Sequence, residues 1–444
     1  MFDPARYETF RFVSYDLSAD GVVSLRYALD DEVFFTERLQ LPGEKPAPEA
    51  GGRDALDAVL WLLHLVAGVS YYKTAVPPRI AIETSPLSAS VAAFCDRLYR
   101  RGLSEFAYRN RIELAERIFF PVGGPERAPV RMPATRRALI PIGGGKDSIV
   151  ALEMMRTSDR SVTLFSVGDL PPIHATVATA GLPRVLVRRE LSPHLSEVNR
   201  DGAWNGHVPV TAIVSCIALV VAARHGFDEV VMANERSASE GSLRWQGEEV
   251  NHQYSKSLVF ERDLRAALGN VIDGITYFSV LRSASELTIA RAFARLDRYH
   301  QAFTSCNATL RLDEARRAAS WCGDCPKCRF VFLVLAPVME RSQLSTIFGR
   351  NLLDVPDQYP GFTALAAVGE PKPFECVGEV AETLAAFRLL SADPRWRDAV
   401  VVRRFVDEHG ALLEHTDPAE VLSLSDDSEI PADLAPLVHA YLSA

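Results

Sequence analysis

No stretch of this 444-residue sequence reads as a membrane anchor or an export signal. The longest apolar run, Val208 to Ala223, is interrupted by Thr211 and Ser215 and ends in Arg224-His225, short of the ~20 residues that a spanning helix needs. The first residues, MFDPARYETFRF, carry an acid at Asp3 and lack the apolar core of a signal peptide. The expectation is a cytoplasmic protein with no membrane partner. An excess of positive charge is also missing. Lys plus Arg number 48 against 57 Asp plus Glu, a formal charge of −9, which argues against nucleic acid as a partner. An anionic small substrate then requires locally concentrated Arg and Lys. A secreted disulfide framework is missing as well: the cysteines number seven, an odd count, and three crowd together at Cys322, Cys325 and Cys328. That pattern fits a reduced compartment and a metal site.

What is present is an ordinary globular composition, 48% hydrophobic and 24% charged, which excludes a disordered chain. Three regions are expected. Residues 1–130 read as an α+β domain. It opens on alternating strands, GVVSLRYAL and EVFFTERLQL, that form a hairpin across Asp30-Asp31. A Pro/Gly-rich linker follows at LPGEKPAPEAGG, then an apolar helix from Asp54, a strand at PPRIAIET and a helix over 91–99. From 131 to 344 the character changes to strands alternating with helices, the pattern of a doubly wound parallel α/β sheet. Its strands are ALIPI, SVTLFSV, RVLVRRE and DEVVMA, and its helices include the apolar run at 209–224. Residues 345–444 read as mostly helical.

The most informative segment is ALIPIGGGKDSIVALEMM, a strand, then Gly143-Gly144-Gly145-Lys146-Asp147-Ser148, then a helix. Glycines let backbone N–H groups close on an anion, and the helix N-terminus adds partial positive charge. Lys146 supplies a cation and Ser148 a hydroxyl. The spacing is not that of a Walker A loop, because Asp147 follows the lysine. A second segment, SCNATLRLDEARRAASWCGDCPKCRF, brings Cys306 before Cys322, Cys325 and Cys328. Four thiolates can complete a tetrahedral zinc shell with no open position, hence a structural ion. Free thiols or an iron–sulfur cluster are the alternatives. Cys95, Cys216 and Cys376 stand apart and are expected to be replaceable.

Between these motifs lies NERSASEGSLRWQGEEVNHQYSKS, which leaves the DEVVMA strand at its carboxyl end. In open parallel sheets ligands bind there. Asn234, Glu235, Arg236, Ser237 and Asn251 are candidate substrate contacts. His252 is the first candidate proton carrier, since imidazole titrates near working pH, and Lys256 the second. A plain surface loop is the competing interpretation.

The glycine loop resembles the SGGxDS loop of the PP-loop ATP pyrophosphatases, with Ile142 in place of the usual Ser and one residue extra. The cysteine run resembles the zinc motif of 7-cyano-7-deazaguanine synthase, another PP-loop enzyme. Together, GGGKDS, NERSASEG, VNHQYSKS and CGDCPKCRF resemble the ATP-dependent UDP-N-acetyl-α-D-muramoyl-L-alanyl-L-glutamate epimerases of peptidoglycan synthesis. That resemblance covers about 135–340. It implies a PP-loop domain, ATP with Mg2+ as cofactors beside a structural Zn2+, and a UDP-N-acetylmuramoyl dipeptide as substrate. It implies inversion of the terminal L-glutamate through carboxylate adenylation, with AMP and pyrophosphate released. Asp147 would help hold the magnesium, and residues 143–148 would cradle the phosphates. An amide- or nitrile-forming PP-loop ligase and a nucleotide sensor without turnover are the other two readings.

Overall fold

The strand expected at ALIPI forms over Arg137–Pro141 and lies third from one edge of a nine-stranded sheet. The computed structural model describes residues 1–43, 52–126, 128–309, 317–370 and 372–444. Most of the expected linker at 41–52 lies outside them. In chain order the sheet strands are β1 (Thr9–Leu17), β2 (Val22–Leu29), β3 (Val33–Gln40), β4 (Arg79–Ile82), β5 (Arg137–Pro141), β6 (Ser161–Val167), β7 (Arg184–Glu190), β8 (Glu229–Met232) and β9 (Thr276–Ser279). Their spatial order is β9-β8-β5-β6-β7-β3-β2-β1-β4.

The run β9-β8-β5-β6-β7 is parallel throughout. The chain leaves β5 toward β6 and β7, then returns to the other side of β5 for β8 and β9. The loops after β5 and β8 therefore diverge from neighbouring strands, and a crevice opens between them at the carboxyl edge. Strand β9, from ITYFSV, was not anticipated. Four residues with no alternation give little signal, and only burial against β8 identifies them.

The hairpin of β2 and β3 forms with Leu29 opposite Val33, as the sequence indicated, and β1 joins it antiparallel. These strands extend the same sheet, because β3 pairs antiparallel with β7. The seam is fixed by a buried charge pair. Arg189 Nε and Nη2 donate to the Glu37 carboxylate at 2.7 and 3.1 Å, and Tyr71 Oη donates to it at 2.9 Å. Glu37 is fully buried. Glu37→Ala leaves a buried guanidinium without its partner, so a loss of about 3–5 kcal/mol in unfolding free energy is expected. Urea denaturation checks this; a change below about 1 kcal/mol would mean that the seam is held by packing alone.

The apolar run at 209–224 forms the helix Val210–His225, almost wholly buried against the sheet and the helix Gly52–Ala67. By length and composition the stretch Gly52–Tyr72, 21 residues, could cross a bilayer, which the sequence reading did not register; 78% of its apolar window is buried inside the fold. The tail is helical, with Val380–Ala392 and Val400–Glu414 packed on each other. A second core joins this tail to the helices Lys146–Arg156, Glu286–Ala294 and Pro326–Leu335.

Candidate active site

At the end of β5 the three glycines play different parts. Gly144 has φ +84°, and a Cβ there would lie 2.7 Å from the Pro172 Cβ. It is therefore held to glycine by both conformation and space. A Cβ on Gly143 would meet nothing within 4 Å, so this residue faces the open crevice. Gly145 is the N-cap of the helix Lys146–Arg156 and supplies no side-chain cap. Such a helix start, with no side-chain hydrogen bond capping it, suits an anion. Ser148 lies in the first turn, and its hydroxyl donates to the Gly145 carbonyl at 3.1 Å.

Lys146 and Asp147 point into a nest of acids. The carboxylates of Asp147, Glu235 and Glu286 place one oxygen each within 4.8 Å of one another. The Lys146 ammonium is buried among them, bonded to Asp147 at 2.5 Å and also to Glu286. Burial opposes its charge, but the two carboxylates outweigh that and raise its pKa. Burial and the neighbouring Asp147, Glu235 and Glu382 push the Glu286 carboxyl up against the pull of Lys146. Behind it, Glu382 is fully buried, accepts the Glu286 N–H at 2.7 Å, and is raised to about 7, first by burial and then by Glu379. So many acids sharing little water favour a bound cation, and three oxygens converging suit a hard divalent ion.

Glu235 reaches this nest because β8 ends beside β5. Its segment is held from below by Arg282, which is 1% exposed. The guanidinium donates to the Glu235 carbonyl and to the Lys256 carbonyl, both at 2.6 Å, and pairs with the buried Glu261 at 2.9 Å. One arginine thus ties both ends of the 235–256 segment to the sheet. The other residues singled out in the sequence divide. Asn234 and Ser237 are buried; the Asn234 carbonyl accepts from Ser279 Oγ at 2.7 Å, and Ser237 Oγ has no partner. Asn251 closes a turn, accepting from the Gln253 N–H at 2.7 Å and donating to the Ala238 carbonyl at 3.1 Å. The Arg236 guanidinium turns away, donating to the Val421 and Ser423 carbonyls at 3.0 Å and fastening the tail.

His252 is 8% exposed. Its Nδ1 lies 3.3 Å from Ser242 Oγ, while Nε2 is buried without a partner. Burial lowers its pKa to about 4, so the imidazole is neutral and able to accept a proton. Its ring packs 6.2 Å from His207 and 6.1 Å from Phe374. Lys256, four residues on, is half-buried, and its ammonium donates to Cys376 Sγ at 3.4 Å. Cys376, expected to be dispensable, therefore stands beside a candidate proton carrier.

The four predicted cysteines converge. Cys306, Cys322, Cys325 and Cys328 all place Sγ within 4.8 Å of one another, with contacts of 3.9, 3.7 and 3.5 Å. A tetrahedron of sulfurs about 2.3 Å from one zinc has edges of about 3.8 Å. The spacing thus fits one ion, whereas sulfurs on separate irons of a cluster would stand farther apart. Gly323, at φ +70°, makes the turn between the first two clustered thiols. The cluster also touches the phosphate-loop candidate: the Thr304 N–H donates to the Gly144 carbonyl at 2.9 Å, two residues before Cys306.

Glu286, Glu382, Arg282, Glu261 and Cys376 were missed in the sequence. Glu286 follows β9, so reading ITYFSV as a fifth parallel strand would have placed it at the crevice. The others carry no local motif.

Two family models match the chain, the MurL N-terminal domain over residues 1–280 and the MurL C-terminal domain over residues 302–420. A protein of Xanthomonas oryzae pv. oryzae named UDP-N-acetyl-alpha-D-muramoyl-L-alanyl-L-glutamate epimerase is 42% identical over 448 residues, spanning 99% of this chain and 98% of that protein. Proteins of the same name from Micromonospora sp. and Salinispora tropica are each 46% identical, over 412 and 413 residues and 90% of this chain, and are covered over 91% and 89% of their own lengths. With both domain models matched and this identity sustained along nearly the whole length, the chain belongs to the MurL family of UDP-N-acetyl-alpha-D-muramoyl-L-alanyl-L-glutamate epimerases.

Proposed function

We propose that this protein inverts the terminal L-glutamate of UDP-N-acetylmuramoyl-L-alanyl-L-glutamate to D-glutamate, first joining the glutamyl carboxylate to AMP at the expense of ATP. The observation that carries this reading is one crevice holding three things. The glycine turn and bare helix start lie at β5, the acids Asp147, Glu235 and Glu286 sit beside them, and the 251–256 segment arrives from β8. Family membership supplies the substrate class. The domain arrangement is that of a PP-loop unit over 131–344, flanked by the α+β unit and the helical tail. A need for ATP and a nucleotide precursor fits the cytoplasm.

Gly143 to Gly145 and Ser148 bind the phosphates through backbone N–H groups and a hydroxyl. Asp147, Glu235 and Glu286 would hold magnesium, which would supply positive charge beside the phosphates. Cys306, Cys322, Cys325 and Cys328 would hold a structural zinc and brace the wall at Thr304. Removing an α-proton beside a free carboxylate would build a second negative charge, and the mixed anhydride removes that obstacle. Neutral His252 accepts the α-proton through its unpartnered Nε2, and the positive charge of Lys256 favours the enolate formed. Hydrolysis of the anhydride then returns the carboxylate and frees AMP.

Turnover in deuterated water tests the reading. Wild type should release AMP and pyrophosphate and place deuterium at the glutamate α-carbon of a D-glutamyl product. ADP with orthophosphate, or a nitrogen-bearing product, would refute it. His252→Ala should still form AMP, while exchange and inversion fall together by about 10²–10⁴-fold. Inversion at the wild-type rate would remove His252 from this role.

A further inference from the structure

Inversion takes a proton from one face and delivers another to the opposite face, from water or from a second carrier that reaches the same carbon. The 372–379 segment enters the crevice from the helical tail, whose sequence carries no motif. Lys372 Nζ pairs with Glu240 at 3.0 Å, and Phe374 packs among Arg109, Tyr108 and His252. Glu379 then opens the helix Val380–Ala392 with a capping box. Between these anchors Cys376 is half-buried, with its Sγ 3.4 Å from the Lys256 ammonium. Among the described residues, Cys95 and Cys216 are deep in the core and the remaining four thiols converge on one another. Cys376 is therefore the cysteine that meets a cation, on a segment whose Phe374 packs against the ring of His252, a buried imidazole whose Nε2 has no partner.

We infer that Cys376 is the second proton carrier, donating its S–H proton to the α-carbon on the face opposite His252, with Lys256 pairing the thiolate that results. This rests on the epimerase reading above. The electron count closes. The α C–H bond breaks as His252 Nε2 gains N–H, and the C–H pair enters the enolate. The enolate carbon then takes the proton as the S–H bond breaks, leaving imidazolium and thiolate. Solvent exchange returns the proton from nitrogen to sulfur. A thiol suits this place because its anion tolerates a poorly hydrated site beside one ammonium.

The test follows three signals in deuterated water: AMP release, α-deuterium in recovered L-substrate, and D-product. Cys376→Ala should retain AMP release and L-side exchange, since His252 can abstract and return a proton on its own face. D-product should fall by about 10²–10⁴-fold. Cys376→Ser should behave alike, because a hydroxyl of similar size is a far weaker acid; this guards against a packing defect. Inversion by both variants within about threefold of wild type would overturn the inference. So would loss of AMP release together with inversion, which would make Cys376 a structural residue. Loss of L-side exchange with AMP release intact would overturn the donor assignment. Absence of AMP release from wild type itself would instead mark failure of the parent reading.

Discussion

Cys328→Ser is expected to lower the zinc content from one ion per chain to a small fraction and to bring the melting temperature down by well over 10 °C. Cys328 is fully buried in the first turn of the helix Pro326–Leu335, which has Cys325 as its N-cap and Pro326 at its first position. That helix contributes Phe330, Val331, Phe332, Leu333 and Val334 to the second core. The ring cluster of Phe303, Trp321 and Phe348 packs beside it. Four sulfurs within 4.8 Å of one another would repel strongly as thiolates without an ion between them. Structural zinc can contribute on the order of 10 kcal/mol to folding in small sites, so a lost ligand should expose this helix and loosen the tail. Activity should fall with it, because the Thr304 bond to Gly144 depends on the same segment. Cys216→Ala is the control: a thiol in the apolar helix core, whose removal should cost about 1–2 kcal/mol and leave the zinc in place. Elemental analysis and calorimetry on the purified proteins decide it. Wild-type protein that is folded, metal-free and has four freely titratable thiols at this cluster would refute the site.

How much of this was legible depended on whether a feature was local. The strand-to-helix turn at Gly143–Ser148 and the cysteine spacing each place their chemistry within a few residues, and both appear where the sequence put them. The strands with alternation or a continuous apolar run, such as GVVSLRYAL and SVTLFSV, were legible for the same reason. Features made by tertiary contact were not. Glu286 and Cys376 lie 139 and 229 residues beyond Asp147 along the chain, and only the parallel crossover and the docking of the tail bring them to the crevice. Arg236 shows the converse. Its position after β8 pointed to a substrate anion, yet its guanidinium finds tail carbonyls at 3.0 Å. A residue type indicates what a side chain can bind; it does not indicate which partner arrives.

Asp147→Asn is expected to abolish measurable AMP formation while leaving the fold intact. A single preorganised charge-stabilising group is typically worth about 10²–10³ in rate, and on the proposed reading the change removes one of three oxygens placed to share a cation, which should weaken its binding as well. The loss expected is therefore at least about 10³-fold. Stability should move the other way or hardly at all. Asp147 is one of several carboxylates crowded into little water, with burial and the other acids already raising Glu286. Neutralising one of them relieves that repulsion, while the Lys146 ammonium keeps its bond to Glu286. Magnesium makes the separation sharp. An ion that binds only the folded protein stabilises it by about 2.7 kcal/mol at a hundredfold excess over its dissociation constant. The wild-type melting temperature should rise on adding Mg2+, and more so with ATP. Asp147→Asn, Glu235→Gln and Glu286→Gln should each blunt that response at equal magnesium. Retention of AMP formation by Asp147→Asn within about tenfold of wild type would remove the carboxylate from the phosphate chemistry. A full magnesium shift in all three variants would place the cation elsewhere, whatever the rates.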